Sequence, residues 1–215
     1  MNDPPPEGIP LVIASTNPGK AEELRELLAD LPFHVHDSDI IRELGAPVED
    51  GRTFEANARK KAIHYSRRLD SLVIADDSGL EIDALDGEPG LRSARVGGPT
   101  ATDADRVRLI LRKMSDVVWD RRTARFSCSI AIARHGEVLA CFSGRVKGRI
   151  AFEPDGSAGF GYDPIFYYPP MDMTFAAMTP AEKNHVSHRG QALARAVGWL
   201  GDYARKAAES EGTSE

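Results

Sequence analysis

Ser15-Thr16-Asn17-Pro18-Gly19-Lys20 stands between a short apolar run, Leu11 to Ser15, and a stretch in which Leu24, Leu27, Leu28 and Leu31 recur at helical spacing. Asn17 suits a helix N-cap and Pro18 the first helical position. A buried strand that runs into a helix start presents unpaired backbone N–H groups and the positive end of a helix dipole. Gly19 permits close approach and Lys20 adds a cation, so the segment can cradle phosphate. It is not a Walker A loop, because Ala14 stands where the first glycine belongs and Ala21 where Ser or Thr should follow the lysine. The plainer alternative is a capped helix with a surface lysine.

A second group is acidic. Asp76-Asp77 is expected at the end of a buried strand, Leu72 to Ala75, with Glu49 and Asp50 upstream on a loop. Carboxylates at a strand's C-terminal end can hold Mg²⁺, which takes one or two protein carboxylates and fills its shell with water and phosphate oxygens. Adjacent strand residues point to opposite faces, so one of the two aspartates should be the main actor unless a turn rotates the other. The competing reading makes them turn and cap residues beside Ser78-Gly79.

Gly159-Phe160-Gly161-Tyr162-Asp163-Pro164 places glycines around an aromatic ring with an acid after it. This pattern leaves room for a planar ligand on the ring and an acceptor for a base edge or ribose. It fails as a dinucleotide fingerprint, since Pro164 takes the third glycine's place. Lys183 and Ser187-His188-Arg189 follow a capping pattern, Thr179-Pro180-Ala181-Glu182, and gather donors near two helix starts. Gly87 to Arg95 adds Arg92 and Arg95 on a loop expected to line the same cleft. A glycine-rich turn and a solvated basic surface are the bland alternatives.

These groups need elements to hold them. Helices are expected from Asn17, from Thr53 through Phe54, Ala58, Ala62, Tyr65 and Leu69, from Thr102 through Met114, and after Ser187 through Leu193, Ala196, Val197 and Leu200. Arg125 to Val146 reads as a hairpin around His135-Gly136. With Arg134 opposite Glu137, Cys128 would face Ser143, with Cys141 as a diagonal neighbour on the same face, and both thiols are expected to be reduced. Strands and helices alternate first and a hairpin follows, which indicates a mixed α/β sheet.

Composition bounds the function. The 215 residues suit one domain of two lobes, with residues 1–8 and 206–215 as tails around a catalytic unit at 9–205. A formal net charge of −6 argues against a nucleic-acid scaffold. No apolar run is long enough for a membrane span, and the N-terminus lacks the pattern of a secretory signal, so a cytoplasmic location is expected.

Taken in order, Ser15 to Lys20, Thr53 to Ala58, Ala75 to Leu80, Gly90 to Arg95, Gly159 to Pro164 and Ser187 to Gly190 resemble the inosine/xanthosine triphosphate pyrophosphatase family. The resemblance spans about Leu11 to Leu200. It implies a twisted mixed sheet between two lobes, an active site in the cleft, a homodimer, and Mg²⁺-dependent hydrolysis of noncanonical purine nucleoside triphosphates to monophosphate and pyrophosphate. It also implies residue roles. The phosphate loop falls on Ser15, Thr16, Asn17, Pro18, Gly19 and Lys20. The proton acceptor and metal ligand falls on Asp77, supported by Asp76, and the second metal ligand on Glu49. Substrate contacts fall on Ser78, Phe160, Gly161, Tyr162, Asp163, Lys183, His188 and Arg189. The chain departs from the pattern at Ala177, where many relatives carry glutamate, and in the basic stretch Gly144 to Gly148. The runner-up readings are a Maf-like pyrophosphatase of other base preference and a nucleotide-binding module without catalysis.

Overall fold

The computed structural model describes residues 8–36 and 39–212; the expected tail at 1–8 lies outside them except for Gly8. Seven strands form one mixed sheet in the order β2-β1-β3-β4-β5-β6-β7. They are β1 (Ile9–Ile13), β2 (Phe33–His36), β3 (Leu72–Ile82), β4 (Thr123–Arg134), β5 (Glu137–Ile150), β6 (Phe166–Tyr168) and β7 (Met173–Thr174). β1 pairs in parallel with β2 and β3, and every later pairing is antiparallel. The helices are α1 (Pro18–Leu28), α2 (Asp39–Glu43), α3 (Phe54–Ser66), α4 (Asp103–Lys113), α5 (Pro180–Val186) and α6 (His188–Gly212). None of them is long and apolar enough to cross a membrane.

The local signals act as side-chain chemistry requires. Asn17 and Thr53 accept the backbone N–H of the residue three positions on, and Thr102 and Thr179 form reciprocal capping boxes with Asp105 and Glu182. His135 and Gly136 both adopt positive φ, the two-residue turn that suits twisted antiparallel strands.

Alternation along β3, β4 and β5 divides the core. On one sheet face α1 and α6 cover Leu72, Ile74, Ile130 and Ile132. Further along that face α4 and the aromatic cluster of Phe126, Phe166 and Phe175 cover Leu80 and Ile82. Between the two lie Asp76 and Ser78, so the cleft opens where one core stops and the next begins. On the reverse face α3 covers Val73, Ala75, Ala131 and Ala133. Leu24 and Leu28 are buried as their spacing predicts, and the side chain of Leu27 lies outside the described residues.

Four expectations need correction. β3 does not end before Asp76-Asp77 but runs through them to Ile82, because β4 pairs with it along the whole length. In the hairpin, Arg134 does face Glu137, but a bulge at Ile132/Ala133 admits one extra residue on β5, so Cys128 faces Gly144 and Cys141 faces Ala131. The slip sends the two free cysteines to opposite sheet faces. α3 stops at Ser66, so Leu69 packs from the following loop. At the other end α6 continues to Gly212, well into the stretch read as a tail, since Ala204 to Glu211 are helix formers without a glycine or proline to stop them.

Candidate active site

Beyond Ile13, β1 ends and the edge of β3 that it covered becomes free. Asp76 and Asp77 are among the first residues on that free stretch. They point to opposite faces, as strand geometry demands, yet both line one cleft of about 710 Å³ that wraps around the edge. Their surroundings differ. Asp76 is buried among cations: Lys20 Nζ at 2.9 Å, Arg189 Nε at 3.5 Å, and the Ser78 hydroxyl donating at 3.3 Å. Burial opposes its charge, but Lys20, Arg189 and Lys61 prevail and hold its carboxyl far below the usual range. Asp77 sits on the α3 side, where Asn57 donates to its Oδ2 at 3.0 Å and Lys61 lies 3.5 Å from its Oδ1. Here burial prevails over Lys61, Lys20 and the Asn57 hydrogen bond, and the carboxyl is raised.

Glu49 reaches the cleft from the loop before α3. Its carboxylate pairs with Arg95 and lies 3.4 Å from the same Lys61 ammonium that approaches Asp77. Two carboxylates therefore flank one lysine. Among the described residues, no group of three or more His, Cys, Asp or Glu side chains is assembled for a metal. The two acids fit an ion that takes the rest of its shell from water and phosphate.

The phosphate segment is built as its residues predict. Ser15 is buried, Thr16 to Pro18 are exposed at the mouth, and Asn17 caps α1 through Lys20 N at 3.1 Å. Lys20 is not a free surface cation but Asp76's partner. Gly19 is needed for a packing reason: a Cβ there would lie 2.6 Å from Cδ1 of Phe160. That contact joins the phosphate helix to the aromatic loop.

The aromatic loop is held from three sides. Asp163, buried, accepts Phe160 N at 2.9 Å and Lys183 Nζ at 2.7 Å, Gly161 N donates to Asp103 at 2.8 Å, and the Tyr162 hydroxyl donates to Ser93 O at 2.8 Å. Burial raises the Asp163 carboxyl in spite of Lys183, and pushes the Tyr162 phenol up to about 12. Both polar groups are committed to the loop's own shape. Phe160 carries Lys183 Nζ at 4.5 Å and Arg189 Cζ at 5.3 Å over its ring.

Lys183, His188 and Arg189 are buried, which excludes a solvated basic surface. His188 stacks on Phe126 with centroids 4.6 Å apart and planes 8° apart. Burial first, then Arg189, Lys183 and Lys20, drives its pKa well below the ordinary value, so the imidazole is neutral. Among the described residues its buried Nδ1 has no hydrogen-bond partner, and the Nε of Arg189 has only the longer ion pair with Asp76. Glu23, from α1, aligns the cations by accepting Lys183 at 2.9 Å and pairing with Arg189, which also donates to Ser78 Oγ at 3.1 Å.

Most of the expected residues line the cleft, but Gly19 packs on Phe160 beside it and Asp50 is exposed and pairs with Lys60. Arg92 is likewise exposed and pairs with Glu88, while Arg95 and Ser93 of the same loop do face inward. That loop docks on Gly79, whose absent side chain leaves space for Gly90 O, and Ser93 Oγ accepts Leu80 N at 2.9 Å. Ala177 is exposed and off the cleft, and Arg145 and Lys147 project from the uncovered face of β5. Sequence reasoning missed Lys61, Asn57, Glu23, Asp103, Arg106 and Phe126. The first two follow Thr53 on a helix face that carries Ala58 and Ala62 into the core, so polar residues on that face were the available signal.

Residues 11–199 match the model of the Ham1 family. The chain is 44% identical over 184 residues to a dITP/XTP pyrophosphatase of Desulfotalea psychrophila, covering 86% of this chain and 82% of that one. It is 44% identical over 192 residues to a dITP/XTP pyrophosphatase of Halalkalibacterium halodurans, covering 88% and 97%. The solved structure of a HAM1 protein from Coxiella burnetii superimposes with a TM-score of 0.82 at 40% identity, covering 90% of this chain and 99% of that one.

Proposed function

The chain belongs to the Ham1 family, and from that premise we propose how its cleft hydrolyses noncanonical purine nucleoside triphosphates, ITP, dITP and XTP, to the monophosphate and pyrophosphate. The protein is a nucleoside triphosphate pyrophosphatase, and its proposed role is to keep such nucleotides out of DNA and RNA. The observation that carries the residue assignment is that the segment before the α1 N-terminus, the carboxyls of Asp77 and Glu49, and the buried His188 and Arg189 beside the Phe160 ring line a single cleft.

Asp77 is the base that takes the proton of the attacking water, and burial raises its carboxyl above the ordinary value, which makes it the better proton acceptor of the two aspartates. Lys20 and the N-terminus of α1 stabilise the charge that develops on departing pyrophosphate. Lys20 can do so by exchanging part of its hold on Asp76 for a phosphate oxygen. Asp77 and Glu49 would hold Mg²⁺, which when bound draws charge from the phosphates and makes a bound water more acidic. Charge supports the requirement for a cation. Six cationic side chains line the cleft (Lys20, Lys61, Arg95, Arg106, Lys183, Arg189) against five acids (Glu49, Asp76, Asp77, Asp103, Asp163), which is too small an excess to balance a triphosphate.

Base choice rests on His188, Arg189 and Phe160. A 6-oxo purine offers an acceptor where adenine offers an amino donor, so the N–H of His188 and the positive charge of Arg189 favour the oxo form, and adenine leaves the His188 donor unpaired. The neutral state of His188 leaves one ring nitrogen as donor, and Arg189 is fixed by Glu23 and Ser78 so that it cannot swing away. A homodimer and a cytoplasmic location belong to the same proposal, and light scattering of the purified protein tests the first.

The test of the reaction is pyrophosphate release from ITP, XTP, GTP, ATP and dTTP with and without Mg²⁺. Metal-dependent release from ITP and XTP, weak from GTP and ATP, is expected. Release mainly from dTTP, or ATP turned over as well as ITP, refutes the recognition scheme.

A further inference from the structure

The two acids of the cleft are carried by separate elements, Asp77 by the middle of β3 and Glu49 by the loop before α3. Asn57, on the first turn of α3 and only 2% exposed, is hydrogen-bonded to both elements, to Asp77 itself and to the loop at Gly51. Its Nδ2 donates to Asp77 Oδ2 at 3.0 Å and its Oδ1 accepts Gly51 N at 2.8 Å, two residues from Glu49. Because the backbone N–H of Gly51 can only donate, the amide's orientation is settled by chemistry. The fit is close on the loop side as well, since a Cβ on Gly51 would lie 2.5 Å from Asn57 Oδ1. The helix start holds the amide at its post: Thr53 Oγ1 accepts Ala56 N at 3.0 Å and Thr53 O accepts Asn57 N at 3.2 Å.

From this geometry we infer that Asn57 is a positioning residue that ties up Oδ2 of Asp77, presents Oδ1 to the reacting water, and sets the height of the Glu49 loop against it. A side chain at this place must donate in one direction and accept in the other. An aliphatic group does neither, and a carboxylate keeps the loop bond but turns a second acceptor toward Asp77. Glutamine has the same groups one methylene further out, where the helix and the strand leave a buried side chain little room to adjust.

The inference rests on Asp77 being the base, and the experiment separates the two claims. Asn57→Asp, Asn57→Ala, Asp77→Asn and the double variant Asn57→Asp/Asp77→Asn are compared for kcat and KM on ITP, for nucleotide affinity without metal by calorimetry, and for melting temperature. Asn57→Asp retains the acceptor for Gly51, so a purely structural role predicts parent-like kcat. The positioning role predicts a fall of about 100-fold in kcat, the scale of a misplaced reacting group, with KM and metal-free affinity little changed. It also predicts no further loss when the change is added to Asp77→Asn. Parent-like kcat in Asn57→Asp overturns the inference, as does a full additional loss in the double variant. If Asn57→Asp does not fold, Asn57→Ala is added to Asp77→Asn instead: no further loss of kcat upholds the inference and a full additional loss overturns it. Full activity in Asp77→Asn itself would refute the assignment of the base instead.

Discussion

His188 makes a prediction that tests the burial of the base recess without any substrate. The imidazole lies stacked on Phe126 in a fully buried position, facing the cations Arg189, Lys183 and Lys20 and the acid Asp76, and it is held neutral in the fold. In the unfolded chain it titrates near its ordinary value of 6.5. The unfolded state therefore binds a proton that the folded state refuses, and stability rises with pH across the range below that value. The contribution is fully present above pH 6.5 and is lost progressively as pH falls toward the depressed folded value. While the folded imidazole stays neutral, each pH unit below 6.5 removes up to ~1.4 kcal/mol, so the loss from about pH 7.5 to about pH 5 amounts to ~2 kcal/mol. Other ionisable groups of the chain contribute to the pH dependence, so the parent is compared with His188→Gln, which has no titrating group at this site. Urea unfolding of both proteins at several pH values, without nucleotide, gives the difference in stability. That difference should favour the parent most at neutral pH and shrink by ~2 kcal/mol toward pH 5. A difference that stays flat across the range would show that His188 is free to protonate in the fold, and the account of a neutral donor in the base recess would fall with it.

Other outcomes follow from the same geometry. Asp77→Asn should lower kcat for ITP by about 10²- to 10⁴-fold while nucleotide binding persists, checked by initial rates and equilibrium titration. Gly19→Ala forces its methyl against the Phe160 ring, so a loss of about 1–3 kcal/mol in thermal stability is expected, together with a raised KM for ITP. Arg122, buried beneath the second core, donates to Ile150 O at 2.7 Å, Met114 O at 2.8 Å, Ala151 O at 2.8 Å and Val117 O at 3.1 Å. Arg122→Ala should cost about 3 kcal/mol or more in chemical unfolding and leave kcat of the remaining folded protein unchanged, since none of these bonds reaches the cleft. Arg189→Lys keeps the charge but loses the fork that spans Glu23 and Ser78, so ITP-over-ATP discrimination should drop about 10-fold or more in competition assays.

What the sequence by itself determined was local. Asn17, Thr53, Thr102 and Thr179 each satisfy an N–H three residues away, and His135-Gly136 turns a chain whose strands are its immediate neighbours, so these features are legible wherever they occur. The ordered motifs from Ser15 to Gly190 were enough to indicate the family and the phosphate, acidic and aromatic segments of the cleft, but not Lys61, Asp103, Arg106 or Phe126, which line it too. The tertiary structure decided the rest, because it depends on partners far apart in the chain. The pairing of Lys183 with Glu23 joins residues 160 positions apart, and Asn57 finds Asp77 only after β3 is seated against α3. Sequence placed Asp76-Asp77 at a strand end because the apolar run stops at Ala75 and Asp-Ser-Gly suits a turn. β4 carries the strand onward, and the end of β1 supplies the free edge instead. The opposite pKa directions of the two aspartates have the same origin: neighbouring residues on one strand share a backbone but not a face, so Asp76 meets the cations of α1 and α6 while Asp77 meets the amide of Asn57 and the ammonium of Lys61.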